Sequence, residues 1–240
     1  MRYAVVSGGG TGIGAATARH LAEQGCQVAI VGRRADVLAK AAADIGPSVT
    51  PIAADLSRPD EVSRVVEAVG EREVDILVNN AGGYLGSSDG SLASEAEWWR
   101  QMLDANLMTA VLLTEGLRGK LRRPGGRVIM VSSIAAQRGG GGPYSAAKAA
   151  LHGWTYALAA ELGPDGITVN VVSPGYVTDT DFFAGRMTPE GHDHRVAQTL
   201  VGRAGEPAEV AAAIGYLTSP AAGYVTGQVF GINGGSVLGR

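Results

Sequence analysis

Cysteine, aromatic side chains and charge are all scarce in this chain, and each scarcity excludes something. The one cysteine, Cys26, cannot close an internal disulfide, so a small disulfide scaffold is ruled out. Lying between a helical run and an apolar strand, it reads as a small buried hydrophobe in a reducing setting. Aromatics make up 5 % of the 240 residues and charged side chains 18 %, against 45 % hydrophobic ones. With a mean hydropathy of +0.10, that describes a compact globule rather than a solvated, unfolded chain. No Lys/Arg cluster exceeds a pair such as Arg33-Arg34 or Arg122-Arg123, and the net charge is −3. Nothing there attracts a phosphate backbone or an anionic lipid, and no nucleic-acid partner is expected. No uncharged stretch of roughly 18 apolar residues occurs, so no membrane span is expected. Met1-Arg2 leads straight into Tyr3-Ala4-Val5-Val6 without an apolar leader segment, and the expected setting is cytoplasmic.

Glycine, by contrast, is plentiful: 36 residues, about twice the usual share of roughly 7 %, without the period of collagen. Short Val- and Ile-rich runs at Tyr3–Ser7, Gln27–Val31, Val49–Ala53, Val74–Asn79, Arg127–Ser132, Ile167–Val172 and Gln228–Ile232 have strand length. Between them, Gly12–Gln24, Ala35–Ile45, Pro59–Val69, Ser94–Leu117, Tyr144–Leu162 and Pro207–Leu217 have helical composition. The order is βα six times, closed by a strand. It predicts an α/β fold, one domain over 1–240, with a parallel sheet covered by helices on both faces. Thr178–Arg203 holds no strand but carries Phe182, Phe183, His192 and His194. It reads as a partly helical flap over a ligand.

The first strand runs through Ser7-Gly8-Gly9-Gly10-Thr11-Gly12-Ile13-Gly14 directly into a helix. Glycines there let the backbone turn sharply and approach a pyrophosphate at the positive end of that helix. No Gly-Lys-Ser/Thr follows, which excludes a triphosphatase loop. The second strand ends Ile30-Val31-Gly32-Arg33-Arg34. Free ribose hydroxyls call for a carboxylate at this point; here the slot is Gly32, and the fork of Arg33 suits a 2′-phosphate. NADP(H) is therefore favoured over NAD(H). In Tyr144-Ser145-Ala146-Ala147-Lys148 the i, i+4 spacing lets a phenol and an ammonium converge on one point, as proton transfer at working pH would need.

These signals, with Asn79-Asn80-Ala81-Gly82 and Ser132-Ser133 between them, resemble the short-chain dehydrogenase/reductase family, and within it the 3-oxoacyl-carrier reductases. The resemblance runs from Val5 to Gly235. It implies a Rossmann-type doubly wound sheet of seven strands in the order 3-2-1-4-5-6-7. Gly8, Gly12 and Gly14 match the family's glycine motif, with Ser7 in its threonine place and Thr11 and Ile13 between. Asp55, followed by Leu56, is similar to the residue that holds the adenine amine. Asn80, with Ala81 and Gly82, matches the segment near the adenosine ribose. Pro174-Gly175-Tyr176-Val177 matches the segment along the nicotinamide. The resemblance further implies that Ser133 binds the substrate oxygen, with Ser132 as its rival, and that Tyr144 gives or takes its proton. Lys148 would bind the nicotinamide ribose and depress the tyrosine pKa, and Asn106 would steady a water of the proton relay.

Two departures stand out. Ser133 lies 11 positions before Tyr144, slightly closer than is usual, with Gly139–Gly142 in the gap. After Gly175 the chain reads as one residue longer than the family's common form, which leaves open whether Thr178 or Thr180 meets the carboxamide. Other features are decoys: Gly86-Ser87-Ser88-Asp89-Gly90 has a hydrolase-elbow pattern but lies in a polar loop. His192 and His194 have strand-like spacing without a third ligand, so no metal is expected. His20 and His152 should cap or pack, and Trp98 and Trp99 should join helix packing, although one could border the pocket. The substrate expected is a small carbonyl or alcohol, with a 3-oxoacyl thioester on acyl carrier protein as one form. Against a carrier, Asp165 stands where a basic residue is common. Alternatives are an NAD-dependent alcohol dehydrogenase of secondary metabolism and a non-catalytic dinucleotide-binding protein. A homotetramer is implied, with Ser94–Leu117 and Tyr144–Leu162 pairing across one interface and the last strand across another.

Overall fold

The computed structural model describes residues 1–183, 185 and 187–239. Seven parallel strands form one sheet: β1 Tyr3–Ser7, β2 Gln27–Gly32, β3 Val49–Ala53, β4 Ile76–Asn79, β5 Arg127–Val131, β6 Thr168–Pro174 and β7 Val229–Ile232. Their order is β3-β2-β1-β4-β5-β6-β7. Alternate residues of each central strand feed opposite faces, as the period of two demands. Val5, Leu77, Val128 and Met130 join one core; Ala4, Val6, Ile76, Val78, Ile129 and Val131 join the other. The helices α1 Gly12–Glu23 and α2 Ala35–Ile45 cover the second core together with Pro207–Thr218, and α3 Pro59–Val69 covers the first.

The segment read as one helix over Ser94–Leu117 begins earlier and is interrupted. It starts at Leu92, where Ser91 caps it by accepting from the Ser94 N–H at 3.2 Å. It runs as α4 Leu92–Leu103 and α5 Thr109–Leu117, joined by a π-helical turn over Asp104–Met108. A short α6 Ala135–Arg138 precedes the long α7 Pro143–Leu162. The 178–203 segment holds α8 Pro189–Val196, and α9 Pro207–Thr218 follows. His192 and His194 thus lie on a helix, where residues two apart point to different sides, and not in strand-like register. Ala184 and Arg186 of that segment, and Arg240, lie outside the described residues.

Strand order reverses between β1 and β4, which opens a crevice beyond their carboxyl ends, the usual ligand position in such sheets. Asp165 sits at the opposite end. It precedes β6 and pairs with Arg123 at 2.9 Å, so its charge says nothing about what docks at the crevice. No helix among the described residues is long and apolar enough to cross a membrane.

Candidate active site

The crevice is built first by Ser7. Its Oγ accepts from the N–H groups of Asn80 and Ala81, both at 2.9 Å, and so ties the end of β1 to the end of β4. The Asn80 amide donates to the carbonyls of Ser7 and Gly8 at 3.0 and 3.2 Å, bracing the glycine turn rather than reaching outward. Gly12 has φ +51°, a conformation glycine adopts without strain. A Cβ on Gly14 would run into the Gly8 carbonyl, so the turn passes over the helix start with no room for a side chain. Thr11 stands at the N-cap of α1 but makes no side-chain cap. The first-turn amides beyond it keep their hydrogen-bonding capacity for an anion.

At the end of β2, Arg33 is exposed beside Gly32. Asp55 accepts from the Ser57 N–H and Oγ at 3.0 and 2.7 Å. Burial raises its pKa, but these bonds, with the Arg33 and Arg58 charges, outweigh that and hold the carboxyl below its usual range. Leu56 is buried next to it.

The π-turn presents Asn106, which is buried. Its Oδ1 accepts from the Gly83 N–H at 2.9 Å, and its Nδ2 donates to the carbonyls of Gly83 and Met102 at 2.8 and 3.1 Å. The amide thus fixes the backbone that follows Ala81-Gly82. Lys148, also buried, donates through Nζ to the Val131 carbonyl at 3.0 Å. Among the described residues no carboxylate pairs with it. Burial pushes its pKa down to about 8. A cation sunk without a counter-charge is a poor structural element and a good holder of ligand hydroxyls.

Ser133 Oγ accepts from the Ala135 N–H at 3.1 Å. Burial pushes the Tyr144 phenol up to about 12, while the nearby Ser133 side chain works in the other direction. The Lys148 ammonium stands 5.9 Å from the ring centroid. Ser132 turns away: its Oγ donates to the Lys148 carbonyl at 2.9 Å and lies 2.9 Å from His152 Nε2. That pair links β5 to α7 and gives His152 a definite partner.

Pro174 and Gly175 end β6 beside β7, with the Gly175 N–H donating to the Ile232 carbonyl at 2.9 Å. Val177 is buried in an isolated bridge to Gly205, and the Thr178 N–H donates to the Gly205 carbonyl at 3.0 Å. The Thr178 hydroxyl also donates to that carbonyl at 3.4 Å, whereas Thr180 lies over Gly12, whose Cβ would stand 3.1 Å from the threonine Cγ2.

The scarce aromatics gather around Tyr144. Its ring lies 6.0 Å from Tyr84 and 5.4 Å from Phe182; Tyr84 meets Trp98 at 6.3 Å, Phe182 meets Phe183 at 4.8 Å, and Phe183 meets Tyr176 at 5.5 Å. Trp98 Nε1 donates to the Leu85 carbonyl at 2.9 Å, and Trp99 points to solvent. Six of the thirteen aromatic residues thus form one wall. Sequence reasoning missed Tyr84 as part of it. The available signal was Phe182-Phe183, two of the chain's three phenylalanines side by side. The decoys find ordinary employment: the Ser88 hydroxyl accepts from the Gly90 N–H at 3.0 Å, His192 Nδ1 lies 2.8 Å from the Tyr176 hydroxyl, and His194 bonds Gln198 at 2.7 Å.

A family model described as enoyl-(acyl carrier protein) reductase matches residues 8–236. A 3-oxoacyl-[acyl-carrier-protein] reductase of Vibrio cholerae is 35 % identical over 243 residues, covering 99 % of this chain and 98 % of the relative. The chain belongs to the short-chain dehydrogenase/reductase family. Solved structures agree. A Serratia marcescens short-chain dehydrogenase/reductase variant superposes with a TM-score of 0.88 at 34 % identity, covering 98 % of this chain and 97 % of the other. A variant of the actinorhodin polyketide ketoreductase, solved with NADPH, gives 0.87 at 32 % with the same coverage. The protein is an oxidoreductase of this family, acting on a CH–OH/C=O pair.

Proposed function

We propose that the protein is an NADP(H)-dependent ketone reductase. The observation that carries this reading is the buried Tyr144 phenol, close enough to the Ser133 side chain for that side chain to draw its pKa down, with a buried Lys148 beside it that no carboxylate pairs with among the described residues, together with a glycine turn whose helix start has no side-chain cap. The turn from Gly8 to Gly14, with Thr11 and Ile13, suits the pyrophosphate, and Asp55 with Leu56 the adenine. Asn80, Ala81 and Gly82 suit the adenosine side, Arg33 the 2′-phosphate, Lys148 the nicotinamide ribose, and Pro174, Gly175 and Val177 the nicotinamide. Bound there, the reduced dinucleotide supplies the hydride. Ser133 holds the substrate oxygen, and Tyr144 donates its proton to that oxygen as negative charge develops on it. The same phenol would take that proton back in the reverse direction. Asn106 acts as a positioning residue through Gly83.

Two substrate readings follow. The Vibrio cholerae relative's name supports a 3-oxoacyl thioester, with acyl carrier protein as a partner. The aromatic wall supports a ketone with a flat, apolar body, as in secondary metabolism. A homotetramer is supported by Trp99 on α4 and Tyr156 on α7, 41 % and 53 % exposed on the faces expected to pair. The test is titration with NADPH and with NADH, followed by turnover of 3-oxoacyl thioesters and aryl ketones watched by nicotinamide absorbance. Tighter NADPH binding with turnover is expected. Tighter NADH binding sinks the Arg33 argument, and dinucleotide binding without turnover of any ketone turns the reading to a non-catalytic binder.

A further inference from the structure

Three consecutive residues after β6 reach three separate parts of the dinucleotide crevice. Asp179 has φ +55°, a left-handed conformation that aspartate tolerates better than most side chains, and it redirects the chain. Thr180 then lies over the glycine turn at Gly12. The Asp181 carboxylate accepts from Arg34 Nη2 at 2.8 Å. Phe182 packs on Tyr144 with 5.4 Å between ring centroids. The middle contact joins residues 147 apart in sequence, from β2's end to the far side of the crevice. Both partners are more than half exposed. The two arginines at the end of β2 are thus divided: Arg33 is close enough to act on Asp55, while Arg34 is held by Asp181.

We propose that Asp181 sets the discrimination between dinucleotides with and without a 2′-phosphate, by holding Arg34 away from that phosphate and placing a negative charge near it. The inference rests on the dinucleotide reading of the crevice. A phosphate group is dianionic or nearly so and competes for the same guanidinium fork. An exposed ion pair is weak enough to yield to it, so NADPH binding proceeds at the expense of the Arg34–Asp181 contact. A dinucleotide without the phosphate makes no claim on Arg34 and leaves the pair closed. Thr180 and Phe182 keep their own contacts, so loss of the Asp181 charge leaves the segment seated.

The test is Asp181→Asn, which keeps the shape and removes the charge. Binding of NADPH and NADH to the full chain is followed by nicotinamide fluorescence, which needs neither substrate nor turnover. The NADPH Kd is expected to tighten about threefold to fivefold, with the gain shrinking as salt rises, while the NADH Kd moves less than about twofold. In an Arg34→Gln background the same substitution should produce less than half that gain. Equal weakening of both dinucleotides would make the pair a latch on bound cofactor, and no change in either would make it a bystander; each overturns the proposal. A wild-type chain that prefers NADH refutes the NADP(H) reading alone, provided Asp181→Asn still shifts the ratio toward NADPH. Binding of neither dinucleotide refutes both.

Discussion

On the β1–β4 side of the crevice, Ser7, Asn106 and Lys148 are buried, and each hydrogen-bonds to backbone. Across it, residues 180–183 are held by tilted and edge-on ring contacts and one solvent-exposed ion pair. The first side is fixed by groups that cannot shift without leaving a buried polar atom unpaired, which costs about 1–3 kcal/mol each time. The second is held by contacts that are individually weak and exchangeable. Chemistry therefore belongs to the side that cannot move, and selectivity to the side that can be altered without unfolding it.

The hardest way to break this division is Tyr144→Phe. It should lower kcat about 10²- to 10⁴-fold while leaving the dinucleotide Kd unchanged, as read by stopped assays and fluorescence titration. Neighbouring serines sharpen it further. Ser133→Ala should cost about 10²-fold in kcat with an unaltered melting temperature. Ser132→Ala should instead lower stability by about 1–3 kcal/mol, because it removes the partner of His152 and the second bond to the Lys148 carbonyl that ties β5 to α7. Comparable kcat losses in both variants would contradict the division of roles.

Lys148 provides a pH test. Its folded pKa of about 8 lies below its ordinary 10.5, so between those values the unfolded chain binds the extra proton and stability rises with pH. The burial penalty is complete below about pH 8 and gone above about 10.5. Denaturant unfolding at about pH 7.5 and 9.5 should therefore show the wild type gaining on the order of 1–2 kcal/mol relative to Lys148→Met. The smallest effect belongs to the exchangeable side. Phe182→Leu should shift the kcat/KM ratio of an aryl ketone to a 3-oxoacyl thioester by about threefold against the aryl ketone, with no change in melting temperature.

The same division governs what was legible in the sequence. β1 over Tyr3–Ser7 and β3 over Val49–Ala53 follow from short Val- and Ile-rich runs between helical segments, the strand order from the family resemblance, and the structure has them. Tyr144 and Lys148 lie on one side of α7 as their spacing implies, whereas Ser132 bonding the Lys148 carbonyl was not legible. The Tyr144 pKa was not legible, because desolvation depends on what surrounds a ring, not on a lysine four residues away. Nor was the aromatic wall, since Tyr84 and Phe182 are 98 positions apart and meet only through Tyr144. α8 left a signal in Thr188-Pro189, where the Thr188 Oγ1 accepts from the Gly191 N–H at 3.1 Å. The flap was read as partly helical, but its polar, scarcely periodic sequence hid where the helix runs.

The π-helical turn at Asp104–Met108 sets the rotational phase of a helix. A wider turn takes up one residue more than an α-helical one, so α4 and α5 are offset from each other by about 100° compared with a continuous helix. Trp98 meets Tyr84 from α4 and Asn106 meets Gly83 from the turn itself, and the offset fixes where α5 packs relative to both. The extra residue works as a phase shifter, and a chain one residue shorter here would keep its helix while swinging the wall of its pocket out of alignment with the floor.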